Sequence, residues 1–571
     1  MKQNEAPKSM KVTPVSKTLS EVLRGNFLKV PRFQRPYDWD RDNLTEFWND
    51  IRDRGDPEYF MGSIVVFGDQ KEKNLISLVD GQQRITTITI LLAVLRDALE
   101  ERGESGPSAA LHELIETRDL DNKSRYTLEH DPADKYFQYA IQSRLPDKKV
   151  SPVGVQQQNL QMAFRFLESS VKDHVKKNFL DNPSKAVAYL KHLRDCLLQM
   201  HFISIELDNE DDAYLIFETL NTRGKDLRAS DLLKNHFMRL LPAKTKGHDV
   251  VKDAWSEIVE KLNSSTYTVD TDSFLLHYWL SRESSVSKAS LFVHYKNEIK
   301  KTNAKSWLED LRMASKTYIR CISPSDGTWA KEERDLRESL QALRIFGVAQ
   351  AAPLMLAVMT QYERKTISLK STKASIGMIE NFAFQFNALT QSRGGGGVAN
   401  MYARLAQNTM ECTNAQEFVA VFKDMRAKFS ERVPDETEFT LPFSRIIFRN
   451  TYTRDRALVR YILTKLAKHY GLPEEVDIGA LTIEHILPQE QGTETDDESD
   501  VGAIGNLIFV NEAINGELGN KSFVEKKKIF SSKHNVYMDE FLKDATEWTD
   551  DQISDRGIEL AKVGYNKIWH I

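Results

Sequence analysis

The residues best equipped for chemistry lie toward the carboxyl end. Thr482-Ile483-Glu484-His485-Ile486-Leu487-Pro488-Gln489 sets a carboxylate beside an imidazole at the end of a predicted strand. Gly505-Asn506-Leu507-Ile508-Phe509-Val510 follows as a second strand-like piece, then Asn515, Asn520 and the basic run Lys526-Lys527-Lys528. Splitting a phosphodiester needs a base for water, a cation to offset developing charge, and a positive group near the phosphate. His485 can be the base, Glu484 and Asn515 can hold one Mg2+ or Mn2+, and Lys526 or Lys527 can contact phosphate. Oxygen donors with one neutral amide suit a hard cation better than zinc. An isolated Glu-His pair is most often ordinary structure, so the weight rests on the ordered set. Asn520 rivals Asn515 because sequence does not fix where the helix begins.

A second cluster lies near the amino end. In Asp80-Gly81-Gln82-Gln83-Arg84 a glycine ends a predicted strand, where it lets the backbone turn and approach a ligand closely. Amides at the start of the following helix favour an anion, and Arg84 adds a charged fork that fits phosphate oxygens. Asp80 either holds a divalent cation or orients Arg84. A plain strand-to-helix turn with a surface arginine explains these five residues equally well. Upstream, Val30-Pro31-Arg32-Phe33-Gln34-Arg35-Pro36-Tyr37-Asp38-Trp39 mixes basic and aromatic residues that can serve phosphates and a stacked base. The commoner fate of such residues is aromatics in the core and arginines in water. Downstream, Asn221-Thr222-Arg223-Gly224 and Asp231-Leu232-Leu233-Lys234-Asn235 form a further polar cluster, or else a helix start capped by Ser230.

The elements that must position these groups are readable in outline. Ser63 to Phe67 reads as a strand, 68–74 as a polar turn, and Leu75 to Val79 as its hairpin partner. The run from Ile85 to Glu101 suits a buried helix. Residues 100–150 read as loops with short helices, 156–198 as helical, and His201 to Leu207 as a strand. Residues 240–430 are mostly amphipathic helix, with Leu336, Leu340 and Leu343 on one face and a glycine run at 394–397 as a loop. Beyond Pro434 come a basic helical stretch, two strands around an acidic insert at 490–500, and a helical tail. Arg445, Arg449, Arg454, Arg456, Arg460, Lys465 and Lys468, opposed only by Asp455, make the best local DNA-backbone surface, with a solvated helix face as the equal alternative.

Composition limits the possibilities without choosing among them. The 571 residues imply two to four domains, and 41% hydrophobic with 28% charged residues is ordinary for a globular protein. A net charge of -5 advertises no nucleic-acid binding, although phosphate contacts depend on local patches. Cys196, Cys321 and Cys412 lie too far apart in sequence for a disulfide framework or a zinc site. The amino end has no apolar signal region, and the apolar stretch from Ile85 to Leu95 is too short to span a bilayer, so a cytoplasmic protein without membrane partners is expected.

Taken in order, VPRFQRPYDW, MGSIVV, LVDGQQRITT and FETLNTRGKDLRASDLLKN resemble the N-terminal domain of the GmrSD family over residues 15–240. These are modification-dependent (type IV) restriction enzymes, with SspE-type phosphorothioate-sensing and BrxU-type nucleases as relatives. The resemblance implies a ParB/sulfiredoxin-like fold whose Gly-x-x-Arg loop holds nucleotide phosphates. It places Gly81, Gln82, Gln83 and Arg84 at an NTP (ATP, GTP, UTP or CTP), with Arg35 and Asp80 beside it and Asn221, Arg223 and Lys234 completing the site. Residues 435–560 resemble the GmrSD-type C-terminal domain and, more broadly, HNH nucleases of the ββα-metal fold. Glu484 stands where those have aspartate, His485 is the base, Asn506 orients the histidine loop, and Asn515 is the last metal ligand. Asn511 and Ile514 replace the zinc cysteines of many HNH proteins, so no structural zinc is expected.

The expected molecule is α+β and multidomain: an NTP-binding domain at 1–240, a helical connector at 241–430, and an HNH-type nuclease at 431–571. Its expected activity is NTP- and metal-dependent nicking or cleavage of double-stranded phage DNA according to modification. Phe33, Gln34 and Tyr37 are candidates for the sensing pocket, and Arg449, Arg454, Arg456 and Arg460 for DNA contact. Three alternatives stand beside it: a phosphorothioate-activated nuclease that cuts unmodified phage DNA, a ParB-like nucleotide-gated DNA-binding regulator, and an RNA-cutting toxin. Sequence does not choose between a monomer and a homo-oligomer.

Overall fold

The computed structural model describes residues 12–32, 34, 36–53, 60–68, 74–119, 121–130, 133–145, 150–207, 228–241, 249–267, 269–389, 397–448, 456–473, 476–488 and 500–571. The chain divides into two compact units, Met1–Lys252 with Lys300–Ala304, and Asp253–Ile299 with Lys305–Ile571.

In the first unit a six-stranded mixed sheet is built from β1 (Val12–Thr18), β2 (Phe27–Val30), β3 (Phe60–Gly68), β4 (Leu75–Asp80), β7 (Leu128–His130) and β8 (His201–Leu207), in the order β1-β8-β3-β4-β2-β7. Strands β5 (Glu116–Arg118) and β6 (Ser124–Tyr126) pair separately. β4, β2 and β7 run parallel, so Asp80, Val30 and His130 end at one edge of the sheet. β3 runs antiparallel to β4, which brings its first residues to that same edge, and the register slips between Val65 and Val66 opposite Asp80. Such a slip is a β-bulge, a device that re-aims the chain at a strand end.

The Gln82–Glu100 helix is the spine of this unit. Ile85, Ile88, Ile90, Leu91, Leu92, Leu95 and Leu99 are all fully buried, which explains why its sequence lacks a polar face. Two of its buried threonines are satisfied locally, Thr87 Oγ1 donating to the Gln83 carbonyl and Thr89 Oγ1 to that of Ile85. The region expected to be loops and short helices holds the Ser105–His112 helix and also the three short strands β5, β6 and β7. Three-residue strands are too short to show a period of two, so the sheet edge at β7 left no pattern to read. Ser230 is not a cap: the Ala229–Leu240 helix begins from an extended Arg228, and Ser230 lies buried inside it.

The second unit is helical around a small hairpin. Leu336, Leu340 and Leu343 are buried together in the Arg334–Ile345 helix. The Ala352–Glu363 helix is buried along most of its length. β9 (Leu481–His485) and β10 (Leu507–Asn511) pair antiparallel with His485 opposite Leu507 and Glu484 opposite Ile508. One core lies around Phe439, Phe443, Val459, Ile462, Phe509 and Trp569, and a second around Ile486, Ile508, Val510, Leu518 and Trp548. The Trp569 ring stacks on Phe384 at 4.2 Å, its Nε1 donates to Tyr461 Oη, and Tyr461 in turn donates to Glu380. The helices before residue 430 and the chain after it therefore share one core. Among the described residues no helix is long and apolar enough to cross a membrane.

Candidate active site

β9 ends in the Glu-His pair because Thr482 and Ile483 favour an extended chain and Leu481 and Ile486 are buried at either end of the segment. Thr482 and Glu484, two residues apart, share one face. Asn511 caps the Glu512–Leu518 helix by accepting from Ile514 N at 2.8 Å, which fixes where that helix begins. Asn515 then lies within the helix, and its Nδ2 donates to Thr482 Oγ1 at 3.0 Å, on the Glu484 face. Asn520 falls beyond Gly519, which closes the helix at φ 46°.

His485 Nε2 lies 3.0 Å from the carbonyl oxygen of Phe448, and the two rings stack at 5.9 Å. A carbonyl only accepts, so the proton is on Nε2 and Nδ1 carries the basic lone pair. Burial depresses the imidazole pKa, the Phe448 bond opposes this, and the Lys526 charge adds to the depression. The ring is therefore neutral at neutral pH, as a general base must be.

Asn506 is fully buried and makes four side-chain bonds. Oδ1 accepts from Leu487 N at 2.8 Å and Trp548 Nε1 at 3.0 Å, while Nδ2 donates to the carbonyls of Leu487 at 3.0 Å and Val501 at 2.7 Å. Its own carbonyl accepts from Ile486 N at 2.9 Å. The residues immediately after His485 are thus clamped by one amide. The same segment holds the partner of the histidine, since Phe448 N donates to the Gly502 carbonyl and Ile504 N to that of Ile446. Behind it Arg556 pairs with Asp539 at 2.8 Å and donates to the carbonyls of Gly505 and Leu507. A side chain at Gly505 would overlap the Ile553 carbonyl, so the Asp550–Val563 helix sits directly on this segment. Trp548, Arg556 and Asp539 carry no motif and were invisible in sequence. Their only sign there was a tryptophan and charges in an otherwise amphipathic tail.

Three expectations change here. Lys526 is 1% exposed, and its ammonium donates to Glu484 Oε1 at 2.6 Å and the His485 carbonyl at 2.8 Å. It is buried against the site and does not present a surface to phosphate, because an unpaired carboxylate at Glu484 would be costly there. Burial still holds the Glu484 carboxyl above its ordinary range, with Lys526 pulling it down. Lys527 donates to the Ala545 carbonyl at 2.5 Å. Three residues of the basic stripe are also engaged within the protein. Arg460 donates to the carbonyls of Leu481 and Ile478 and lies over the Phe509 ring, Lys465 pairs with Glu380, and Lys468 with Glu338. Arg460 therefore braces β9, while Arg445 and Arg456 are exposed. Arg449 and Arg454 lie outside the described residues.

In the first unit Gly81 caps the Gln82–Glu100 helix at φ 88°, and a side chain there would come within 2.7 Å of Ile64 Cγ2. Glycine is required by conformation and by space. The Arg84 guanidinium donates to the carbonyls of Met61 and Ser63, both at 2.8 Å, and lies 3.8 Å from Asp80. Gly62, at φ 102°, leaves room for it. Gln83 grips the upstream loop, accepting from Asp38 N at 3.2 Å and donating to the Pro36 carbonyl at 3.0 Å. Gln34 donates to the Val79 carbonyl at 2.5 Å, and buried Tyr37 bonds Thr87 at 2.8 Å. Gln82 is buried as well. Gln34 and Tyr37, considered for a sensing pocket, thus fasten the loop to β4 and the helix. Arg32 extends the fastening, bonding Asp249 at 2.6 Å and the carbonyls of Met238 and Leu241 at the end of the Ala229–Leu240 helix. Lys234, on that helix, is mostly buried, and burial lowers its pKa against the pull of Asp231 and Asp249. Phe33, Arg35, Asn221 and Arg223 lie outside the described residues.

Residues 15–238 match the GmrSD restriction endonuclease, N-terminal domain, and residues 437–563 the GmrSD restriction endonucleases, C-terminal domain. No curated protein matches the chain. Both matches describe parts of a restriction-type nuclease, a hydrolase with DNA as substrate. The chain belongs to the GmrSD restriction endonuclease family.

Replacing Asn506 by aspartate turns its two donated bonds into a carboxylate facing the carbonyls of Leu487 and Val501. Asn506→Asp is expected to lose DNA cleavage and to cost about 3 kcal/mol of stability in a denaturant melt. Wild-type cleavage with an unchanged midpoint would contradict the clamp.

Proposed function

We propose that the chain is an NTP- and divalent-metal-dependent DNA endonuclease or nickase that acts according to DNA modification. In this reading the N-terminal domain is ParB/sulfiredoxin-like and binds the nucleotide, and the C-terminal domain is an HNH nuclease of the ββα-metal type. The observation that carries it is the buried His485, whose Nε2 is committed to the Phe448 carbonyl and whose following loop is clamped by Asn506.

His485 Nδ1 takes the proton from the attacking water, and the Phe448 carbonyl stabilises the imidazolium that results. Glu484 and Asn515 would hold the metal. One carboxylate on β9 and one amide oxygen on the helix whose Asn515 reaches Thr482 of that strand fit a hard cation that keeps water or phosphate in its other positions. Bound there, Mg2+ or Mn2+ would offset the charge that grows on the phosphate.

At the other site, support comes from the left-handed Gly81 at the head of a 19-residue helix, at the edge where β2, β4 and β7 end. Parallel strands ending together and a helix amino end form a favourable place for phosphates. Arg84, braced by β3, contributes a fixed positive charge. Double-stranded DNA of phage origin is the proposed substrate.

In a purified system His485→Ala is expected to reduce DNA cleavage ~100- to 10,000-fold, the usual contribution of base catalysis, while NTP hydrolysis continues. Undiminished cleavage would remove His485 from the reaction. Arg84→Ala is expected to abolish NTP hydrolysis, and a wild-type rate in folded protein would remove the Asp80–Arg84 loop from nucleotide chemistry. Crossing plain, glucosylated hydroxymethylcytosine and phosphorothioate DNA with each NTP and with Mg2+ or Mn2+ identifies the modification read.

A further inference from the structure

Lys526, on the Phe523–Ser532 helix, is an ammonium shielded from water, and both of its bonds go to the Glu-His pair. Glu484 is nearly as buried, and a carboxylate so placed must have a cation or lose its charge. In this structure the cation is Lys526, 2.6 Å from Oε1. A divalent ion directed at the same carboxylate meets that ammonium, and two positive charges a few ångströms apart in a buried site repel strongly. Lysine suits a role that requires release, because its charge is compact and its four-carbon stem is flexible. Arginine, with its rigid fork, would hold the carboxylate in one geometry.

We propose that Lys526 is an internal counter-cation that competes with the divalent metal for Glu484, so that metal loading requires the lysine to withdraw. The proposal rests on the reading of Glu484 as a metal ligand. Lys526 stabilises the metal-free protein by neutralising Glu484 and tying the His485 carbonyl to the helix. A bound metal would take over the first task, and the Lys526 ammonium would have to leave Glu484. Metal loading thereby requires a higher metal concentration than a preformed, unpaired carboxylate would need.

The test is Mn2+ binding to the full chain, measured from the electron paramagnetic resonance signal of free Mn2+, with thermal melts taken alongside. Lys526→Met and Lys526→Gln are compared with wild type, the glutamine keeping a donor for the His485 carbonyl. Both variants are expected to bind Mn2+ at least about tenfold more tightly, given the size of charge repulsion at this range. Mn2+ should also raise their melting temperatures more than that of wild type, since a ligand stabilises in proportion to its affinity. Equal or weaker Mn2+ binding in both variants overturns the competition. Glu484→Gln separates the two levels of the argument. Loss of Mn2+ binding there upholds the metal site, whereas wild-type binding there removes the site and the competition with it.

Discussion

The amide of Asn506 is the interaction on which the nuclease end depends. With no access to water, its oxygen and nitrogen must both be satisfied within the protein, and the four bonds reach three separate parts of the chain, at Leu487, Val501 and Trp548. Two of them hold the backbone just past His485, one holds the loop entering β10, and one holds Trp548 in the tail. Residues 502–504 then hold the Phe448 segment, which supplies the histidine with its acceptor. A single buried side chain thus helps fix the position of His485 and, through the Phe448 segment, its tautomer. Arg556 and Asp539 are the cost of this arrangement in a low-dielectric site, a buried ion pair whose cation also satisfies two carbonyls of the same segment.

The amino-terminal site follows a different logic. There the demand is for backbone to come close, and it is met by two glycines at positive φ, Gly62 and Gly81. The side chains around them are largely committed to holding neighbouring backbone. Arg84 ties the helix to β3, Gln83 and Gln34 tie the upstream loop to the strand-helix junction, and Arg32 ties that loop to the helix ending at Leu240. What such an edge offers a ligand is an oriented set of backbone groups with a fixed positive charge behind it.

Much of this was legible in sequence where period and chemistry agreed. The hairpin of β3 and β4, the buried helix after Gly81, the strand at 201–207 and the pair of strands around the acidic insert all announced themselves by alternation or by unbroken apolar runs. Residue types at ordered positions singled out His485 and Asn506, which the fold brings to neighbouring segments. What escaped was whatever depended on partners far away in the chain. Nothing local distinguishes Lys526 from Lys528, yet one is sealed against Glu484 and the other is exposed. Arg460 read as a DNA contact because a basic helix looks alike whether its cations meet phosphate or the carbonyls of Ile478 and Leu481. β7, at three residues, had no period to read, and Ser230 resembled a cap until the helix proved to begin before it.

The central claim is that the fold presents His485 as a neutral base with its proton on Nε2. The nitrogen-15 spectrum of the full chain labelled at histidine, with the His485 signals assigned by their loss in His485→Ala, measures this directly. At neutral pH the account predicts a protonated Nε2 and a bare Nδ1. A proton on Nδ1, or a fully protonated ring, would contradict it.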